Sequence, residues 1–346
     1  MGFTQEQIKT FRKIVEQTKK PLFLFDDDAD GTTSFALLYK KIGAGRGLPV
    51  KNGPEVNEQY IRKVQDYDPD MVFILDKPRV SDEFIDAVNV PIVWLDHHEP
   101  QDHKQEHLHY YNPRILDDTD NKPTSYWTYD FIGRKEDVWI AMIGVVADWH
   151  MPNFVKECRE LYPELVPDNT EEFKNFYLHP QLNFFVNLMT FMQKGTMRES
   201  LQAVKVFTRI EEPKEILEQT TPQGKYLYKK QDRFTKRFHK LKEEANKEVG
   251  EKTLIFVYEA QTSFTKELSN EMLLEHENKA IIIGRKSDGR IKASLRGAHI
   301  DVFSTQQKAL EGLDGYGGGH KHACGMSLNE KDWETFVTRY KEQLKQ

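Results

Sequence analysis

The residues best suited to chemistry stand close to the amino terminus. Asp26, Asp28 and Asp30 alternate in Phe25-Asp26-Asp27-Asp28-Ala29-Asp30-Gly31, directly after an apolar run. If the chain stays extended there, the three carboxylates point to one side, where like charges raise one another's pKa. A divalent cation removes that conflict, and an oxygen-rich set suits hard ions such as Mg²⁺ or Mn²⁺. A lone Asp run is more often a solvated turn. Here the apolar strand before it and Gly31-Thr32-Thr33-Ser34 after it favour a metal site. The pattern recurs downstream. Residues 71–75 form an apolar run ending on Asp76, and residues 91–95 form another ending on Asp96-His97-His98. The apolar helical stretch 139–147 ends on Asp148-Trp149-His150. Each acid alone would read as a cap or a turn; four at the ends of apolar elements point to one site.

The elements that must position these groups follow from periodicity. Leu22 to Phe25 reads as a buried strand that hands over to a helix, with Gly31 making a sharp turn and Thr32, Thr33 or Ser34 capping. Such ends converge on the carboxyl edge of a parallel sheet, where open α/β folds place their ligands. Thr4-Gln5-Glu6-Gln7 fits a capping box. Pro49-Val50 reads as a short strand, and helices are expected over 56–64 and 84–88. Residues 152–196 look helical and mixed, and 226–249 form a long charged helix whose interleaved acids and bases suggest a solvated face. From Thr253 the pattern returns to strands and helices, including a hairpin turn at Asp288-Gly289. The expected fold class is α/β: a doubly wound, mainly parallel amino-terminal sheet over residues 1–195, a helical linker over 196–250, and a smaller α/β domain over 251–346.

Composition narrows the function. The 346 residues are 38% hydrophobic and 12% aromatic, enough for ordinary cores. No apolar run reaches the roughly 18 residues a membrane span needs, and the amino terminus lacks a secretory pattern. Cys158 and Cys324 give neither a disulfide framework nor a zinc spacing, so a cytoplasmic protein with no membrane partner is expected. A net charge of −6 argues against a broad grip on long duplex nucleic acid. It leaves room for a local basic site that takes a short or single strand.

Taken in order, Asp26-x-Asp28-x-Asp30-Gly31, Asp76, Asp96-His97-His98, Asp148 and Gly317-Gly318-Gly319-His320 resemble the motifs of the DHH phosphoesterases that carry a DHH-associated carboxyl-terminal domain. The resemblance spans nearly the whole chain. Many members open on His-x-Asp-x-Asp-Gly; Asp26 stands in the histidine's place here, which looks like the RecJ branch of single-strand exonucleases. The stretches around Asp76 and Asp148 resemble archaeal members.

That resemblance implies two divalent cations, Mn²⁺ in preference to Mg²⁺. Asp26, Asp28 and Asp76 would hold one; Asp30, Asp76, His97 and Asp148 would hold the other, with Asp76 bridging. Ions about 3.5–4 Å apart activate a water and stabilise the leaving oxygen of a phosphodiester. An imidazole ligand favours Mn²⁺. His98 would face the scissile phosphate, and Asp96 would orient a histidine. In the second domain the resemblance assigns substrate grip to Gly317, Gly318 and Gly319, whose N–H groups can approach a phosphate, to His320, and to Ser294 and Arg296. Without the first domain, the glycines would read as a flexible loop. Arg285, Lys292 and Lys321 could add charge but serve a surface equally well.

The leading expectation is a metal-dependent exonuclease that releases mononucleotides from single-stranded DNA or RNA or from short oligonucleotides, in a cleft between the domains. Cleavage of cyclic or linear dinucleotides is the alternative. A non-catalytic replication or repair scaffold, with replication or repair proteins as partners, is the third; the filled ligand positions speak against it. His103, His107 and His109 read as a solvated loop, His150 as a helix-end residue, and Tyr126, Trp127 and Tyr316 as core or rim.

Overall fold

The computed structural model describes residues 2–51 and 53–344. It divides into two compact units, Met1–Gln231 and Asp232–Gln346. The first begins with α1 (Gln5–Gln17), β1 (Pro21–Asp26), α2 (Ala29–Ile42), β2 (Arg46–Val50) and the short β3 (Glu55–Val56). Then come α3 (Ile61–Tyr67), β4 (Met71–Leu75), β5 (Arg79–Val80), α4 (Asp82–Ala87), β6 (Ile92–Leu95) and β7 (Leu108–Tyr111). Helices α5 (Thr124–Ile132), α6 (Val138–Ala147), α7 (Val155–Leu161), α8 (Phe173–Tyr177), α9 (Pro180–Met192), α10 (Met197–Phe207) and α11 (Lys214–Leu217) follow.

The central sheet has the order β2-β1-β4-β6-β7, and every pairing in it is parallel. Alternation sends Leu22, Leu24, Val72, Ile74, Ile92 and Trp94 to one face, where Val64 of α3 and Phe84 and Ile85 of α4 close the core. Phe23, Phe25 and Phe73 point the other way; Phe23 and Phe25 meet Phe35 of α2. Both faces are therefore covered, as an all-parallel sheet requires. The chain leaves β1 toward β2 and returns on the far side as β4, so the topological switch lies between β1 and β4.

Register puts the acids level with one another. Phe25 pairs with Leu75, Leu75 with Leu95 and Leu95 with Tyr111. The next residue on each strand, namely Asp26, Asp76, Asp96 and Asn112, therefore lines the carboxyl edge of the sheet.

Helix α12 (Pro222–Asn246) contains the division between the units. Leu227, Gln231, Phe234, Phe238, Leu241 and Ala245 are buried at helical spacing, so this helix carries a packed stripe beneath its charged face. The second unit continues with β8 (Thr253–Glu259), α13 (Thr265–Glu275), β9 (Ala280–Ser287), β10 (Arg290–Arg296) and α14 (Val302–Leu310). It ends with β11 (Gly315–His320), β12 (Ala323–Asn329) and α15 (Trp333–Gln343). Its sheet runs β11-β12-β10-β9-β8, with only β8 and β9 parallel. Asp288 and Gly289 both take positive φ, the geometry of a tight hairpin.

Several local expectations need correction. Residues 56–64 form the end of a strand, a 3₁₀ turn and the start of α3, not one helix. His109 lies on β7, an edge strand, and His103 and His107 bond to Asp82 and to the Ile85 carbonyl, so this stretch is not a solvated loop. Gly317–Gly319 belong to β11 and pair with Met326, Gly325 and Cys324 of β12. Tyr316 on the same strand is 71% exposed and is neither core nor rim, whereas Tyr126 and Trp127 are buried on α5.

Candidate metal centre

β1 ends on Asp26, and the turn into α2 differs from the sequence expectation. Asp28, not a hydroxyl residue, is the N-cap; its Oδ1 accepts the Gly31 N–H at 3.2 Å. Asp30 already lies in the first helical turn, so the three acids do not project from one extended segment. Gly31 serves close approach. A Cβ there would sit 2.5 Å from the Asp26 carbonyl oxygen and 2.7 Å from its nitrogen. Only glycine lets the start of the helix fold back against the end of the strand, and this brings Asp28 and Asp30 beside Asp26.

Asp76 follows β4 with φ 58°, a left-handed conformation that costs a non-glycine residue about 1 kcal/mol. Its backbone N–H donates to the Leu95 carbonyl at 2.9 Å. Asp148 caps the C-terminal end of α6. A carboxylate there faces the negative end of the helix dipole, the wrong sign unless a cation is nearby. Gly144 permits that placement, since a Cβ would collide with Thr33 of α2 and Ser125 of α5.

His97 draws these elements together. Its Nε2 lies 3.3 Å from Asp76 Oδ1, 3.7 Å from Asp148 Oδ2 and 4.0 Å from Asp30 Oδ2. Its Nδ1 faces the Asn121 carbonyl at 3.3 Å, which assigns the ring proton to Nδ1 and turns Nε2 toward the acids. Potential ligand atoms of Asp26, Asp28 and Asp76 lie within 4.8 Å of one another, as do those of Asp30, His97 and Asp148, and those of Asp76, His97 and His98.

The charges are poorly compensated. Burial, followed by the neighbouring Asp28, pushes Asp26 up to about 6, although Lys77 pulls the other way. Burial and then Asp30 hold Asp76 well above the usual carboxylate range. Burial also raises Asp30, against the pull of His97 and Ser125. For His97, burial disfavours the charged ring, but the surrounding carboxylates outweigh it and raise its pKa well above the ordinary value. Five carboxylates and one imidazole in a mostly buried pocket fit hard or borderline divalent cations.

Several supporting groups carry no sequence motif. The Asp30 carboxylate accepts the backbone N–H groups of Thr124 and Ser125 at 2.8 Å each, at the start of α5, together with the Ser125 hydroxyl. The Thr124 hydroxyl donates to Asp76 Oδ1 at 3.2 Å. Lys77 is buried and reaches Asp26 Oδ1 at 2.7 Å. The only sequence hints were a Pro-Thr-Ser helix start at 123–125 and a lysine next to Asp76. Asp96 is fully buried; its Oδ1 lies 2.7 Å from His98 Nδ1, and its Oδ2 accepts the His98 N–H and the Asn112 side chain. The His98 side chain is 40% exposed. His150 does not join these clusters; its ring lies against Tyr126.

In the second unit, register places Ser294, Gly325 and Gly318 in one row across the sheet. Arg296, Ala323 and His320 form the next row on the same face, and Lys292, Ser327 and Tyr316 form the one on the other side. Arg296 is fastened by Asn270 Oδ1 at 2.8 Å and by its neighbour's carbonyl, and Ser294 donates to Thr265 at 3.1 Å. A Cβ on Gly318 would meet nothing within 4 Å, so this face is open above it. Arg285 is spent on the carbonyls of Ala260 and Gln261.

Comparison of the sequence with curated proteins finds no match. The model of the DHH family N-terminal domain matches residues 22–147, and that of the DHHA1 domain matches residues 252–346. Among solved structures, the chain resembles RecJ from Thermus thermophilus in complex with Mn²⁺ at 16% identity and a TM-score of 0.63. That match covers 98% of this chain but only 54% of RecJ, so the protein spans about half that relative's length. An exonuclease RecJ bound to manganese matches at 16% identity and a TM-score of 0.57, over 98% of this chain and 94% of that one. A pGpG-specific phosphodiesterase from Vibrio cholerae matches at 13% identity and a TM-score of 0.54, over 94% and 99%. At these identities the likeness is one of fold. Both domain matches, in that order and on a fold shared with RecJ, show that the chain belongs to the DHH family, with a DHHA1 domain following its DHH domain.

Proposed function

We propose that this protein is a metal-dependent phosphoesterase, an exonuclease that releases mononucleotides from single-stranded nucleic acid or short oligonucleotides. The observation that carries the reading is the convergence of Asp26, Asp28 and Asp76 beside Asp30, His97 and Asp148 at the switch point of the sheet. Two divalent cations there, Mn²⁺ by the preference of the imidazole, would supply a metal-activated water and stabilise the leaving oxygen. Asp26, Asp28 and Asp76 would hold one and Asp30, Asp76, His97 and Asp148 the other.

The residues of the chain do the positioning. Thr124 and Ser125 fix both Asp30 oxygens, so that ligand is ordered before any cation arrives. The Asp96–His98 pair leaves His98 Nε2 as the outward nitrogen, suited to hydrogen-bond the scissile phosphate or protonate the leaving oxygen. Arg296, Ser294 and His320 would contact the substrate's phosphates on the open face around Gly318, with Gly317 and Gly319 keeping the strand slim. An arginine already held by Asn270 loses little freedom on binding. Among the described residues no helix is long and apolar enough to cross a membrane, and both cysteines are free and buried. These facts support a cytoplasmic location. Replication or repair proteins remain proposed partners by analogy of fold.

Degradation of end-labelled DNA and RNA of several lengths, with Mn²⁺ and with chelator, tests the reading. Stepwise shortening that requires the ion is expected; no cleavage of any strand would overturn it. The acidic balance and the likeness in fold to a pGpG-specific phosphodiesterase support a second reading, a dinucleotide phosphodiesterase. Faster turnover of a dinucleotide than of a long strand would favour that one.

A further inference from the structure

Lys77 is the most unexpected charge in the molecule. Its side chain is 2% exposed, and its ammonium reaches Asp26 Oδ1 at 2.7 Å and the Gly53 carbonyl at 3.0 Å. Its own carbonyl accepts the Trp94 indole N–H at 2.9 Å, which pins the backbone beside Asp76. A lysine this deeply buried is rare unless paired, and this one pairs with a carboxylate assigned to the metal centre.

We propose that the Lys77 ammonium is a built-in third cation of the centre and sets how tightly the Asp26–Asp28–Asp76 corner holds its divalent ion. This rests on the metal-centre reading above. Charge balance supports it: five carboxylates, one ammonium and two divalent cations sum to zero. Without Lys77 the same site would keep an uncompensated negative charge with both ions in place. Lys77 and an ion also share one carboxylate. With Asp26 Oδ1 engaged by the ammonium, Oδ2 is the oxygen Asp26 can offer a metal, and two cations on one carboxyl group weaken each other's hold. Lys77 thus makes the corner a moderate binder, one that can exchange its ion.

A purely supporting role for Lys77, in which it merely orients Asp26, predicts the opposite sign. Mn²⁺ binding to the full chain, measured by the electron paramagnetic resonance signal of the free aquo ion, separates the two. Wild type, Lys77→Met and Lys77→Gln would be compared, with metal-free thermal unfolding to verify folding. The glutamine variant keeps a hydrogen-bond donor for Asp26 without the charge. Both variants should bind the weaker Mn²⁺ about ten-fold or more tightly than wild type. Unchanged or weaker binding in a folded variant overturns the Lys77 proposal alone. Absence of Mn²⁺ binding by wild type overturns the metal-centre reading, and this proposal with it.

Discussion

Ser125 donates its backbone N–H to Asp30 Oδ1 at 2.8 Å, across 95 positions of sequence. Its hydroxyl donates to the same oxygen. The start of α5 thus holds a buried carboxylate that α2 could not hold by itself. Ser125→Ala removes the hydroxyl donor and should cost about 1–2 kcal/mol in unfolding free energy. Because the hydroxyl also aims Asp30, Mn²⁺ affinity should fall roughly ten- to a hundred-fold. Chemical unfolding and an Mn²⁺ titration of the same variant would check both effects.

Asp30→Ala and His97→Ala should abolish turnover while circular dichroism shows a folded protein. Full Mn²⁺-stimulated activity in Asp30→Ala would show that the ligand assignment is wrong. Arg296→Ala should mainly raise KM, since it removes binding rather than chemistry.

Tyr316 stands on the same face as Lys292, Gly318 and His320, with its ring in solvent. Base–aromatic stacking contributes about 1–3 kcal/mol per base. Tyr316→Ala should therefore raise KM for an oligonucleotide about five-fold or more, and Tyr316→Phe should not. Equal KM values for all three proteins would mean that no base rests there.

A buried ion network gives a pH prediction remote from the metal centre. Asp137 is fully buried; Arg134 lies 2.8 Å and Lys40 3.9 Å from its oxygens. Burial nevertheless raises its pKa to about 6, against the pull of both cations. The folded state then binds this proton more tightly than the unfolded state. Its contribution is present in full below the ordinary 3.8 and is lost as pH rises through about 6. Relative to Asp137→Asn, which does not titrate, wild type should gain on the order of 1 kcal/mol between pH 7.5 and 4.5. A pH-independent difference in unfolding free energy would refute this.

Asp26, Asp76, Asp96 and Asp148 were legible because each follows an apolar run, and the α6 helix because residues 139–147 leave almost no other choice. The shape of their approach was not legible. An alternating Asp run looks extended, and the close contact that makes Gly31 obligatory exists only once strand and helix are packed. Lys77 and Ser125 find their partners 51 and 95 positions away, which no local pattern encodes. β7 was missed because an edge strand carries polar residues such as His109. β11 was missed because Gly-Tyr-Gly-Gly-Gly-His has little strand propensity of its own; pairing with β12 overrides it.

Anomalous scattering at the manganese edge from crystals soaked in Mn²⁺ tests the central claim most directly. Two peaks are expected, one among Asp26, Asp28 and Asp76 and one among Asp30, Asp76, His97 and Asp148. A map with no peak at these side chains would contradict the account.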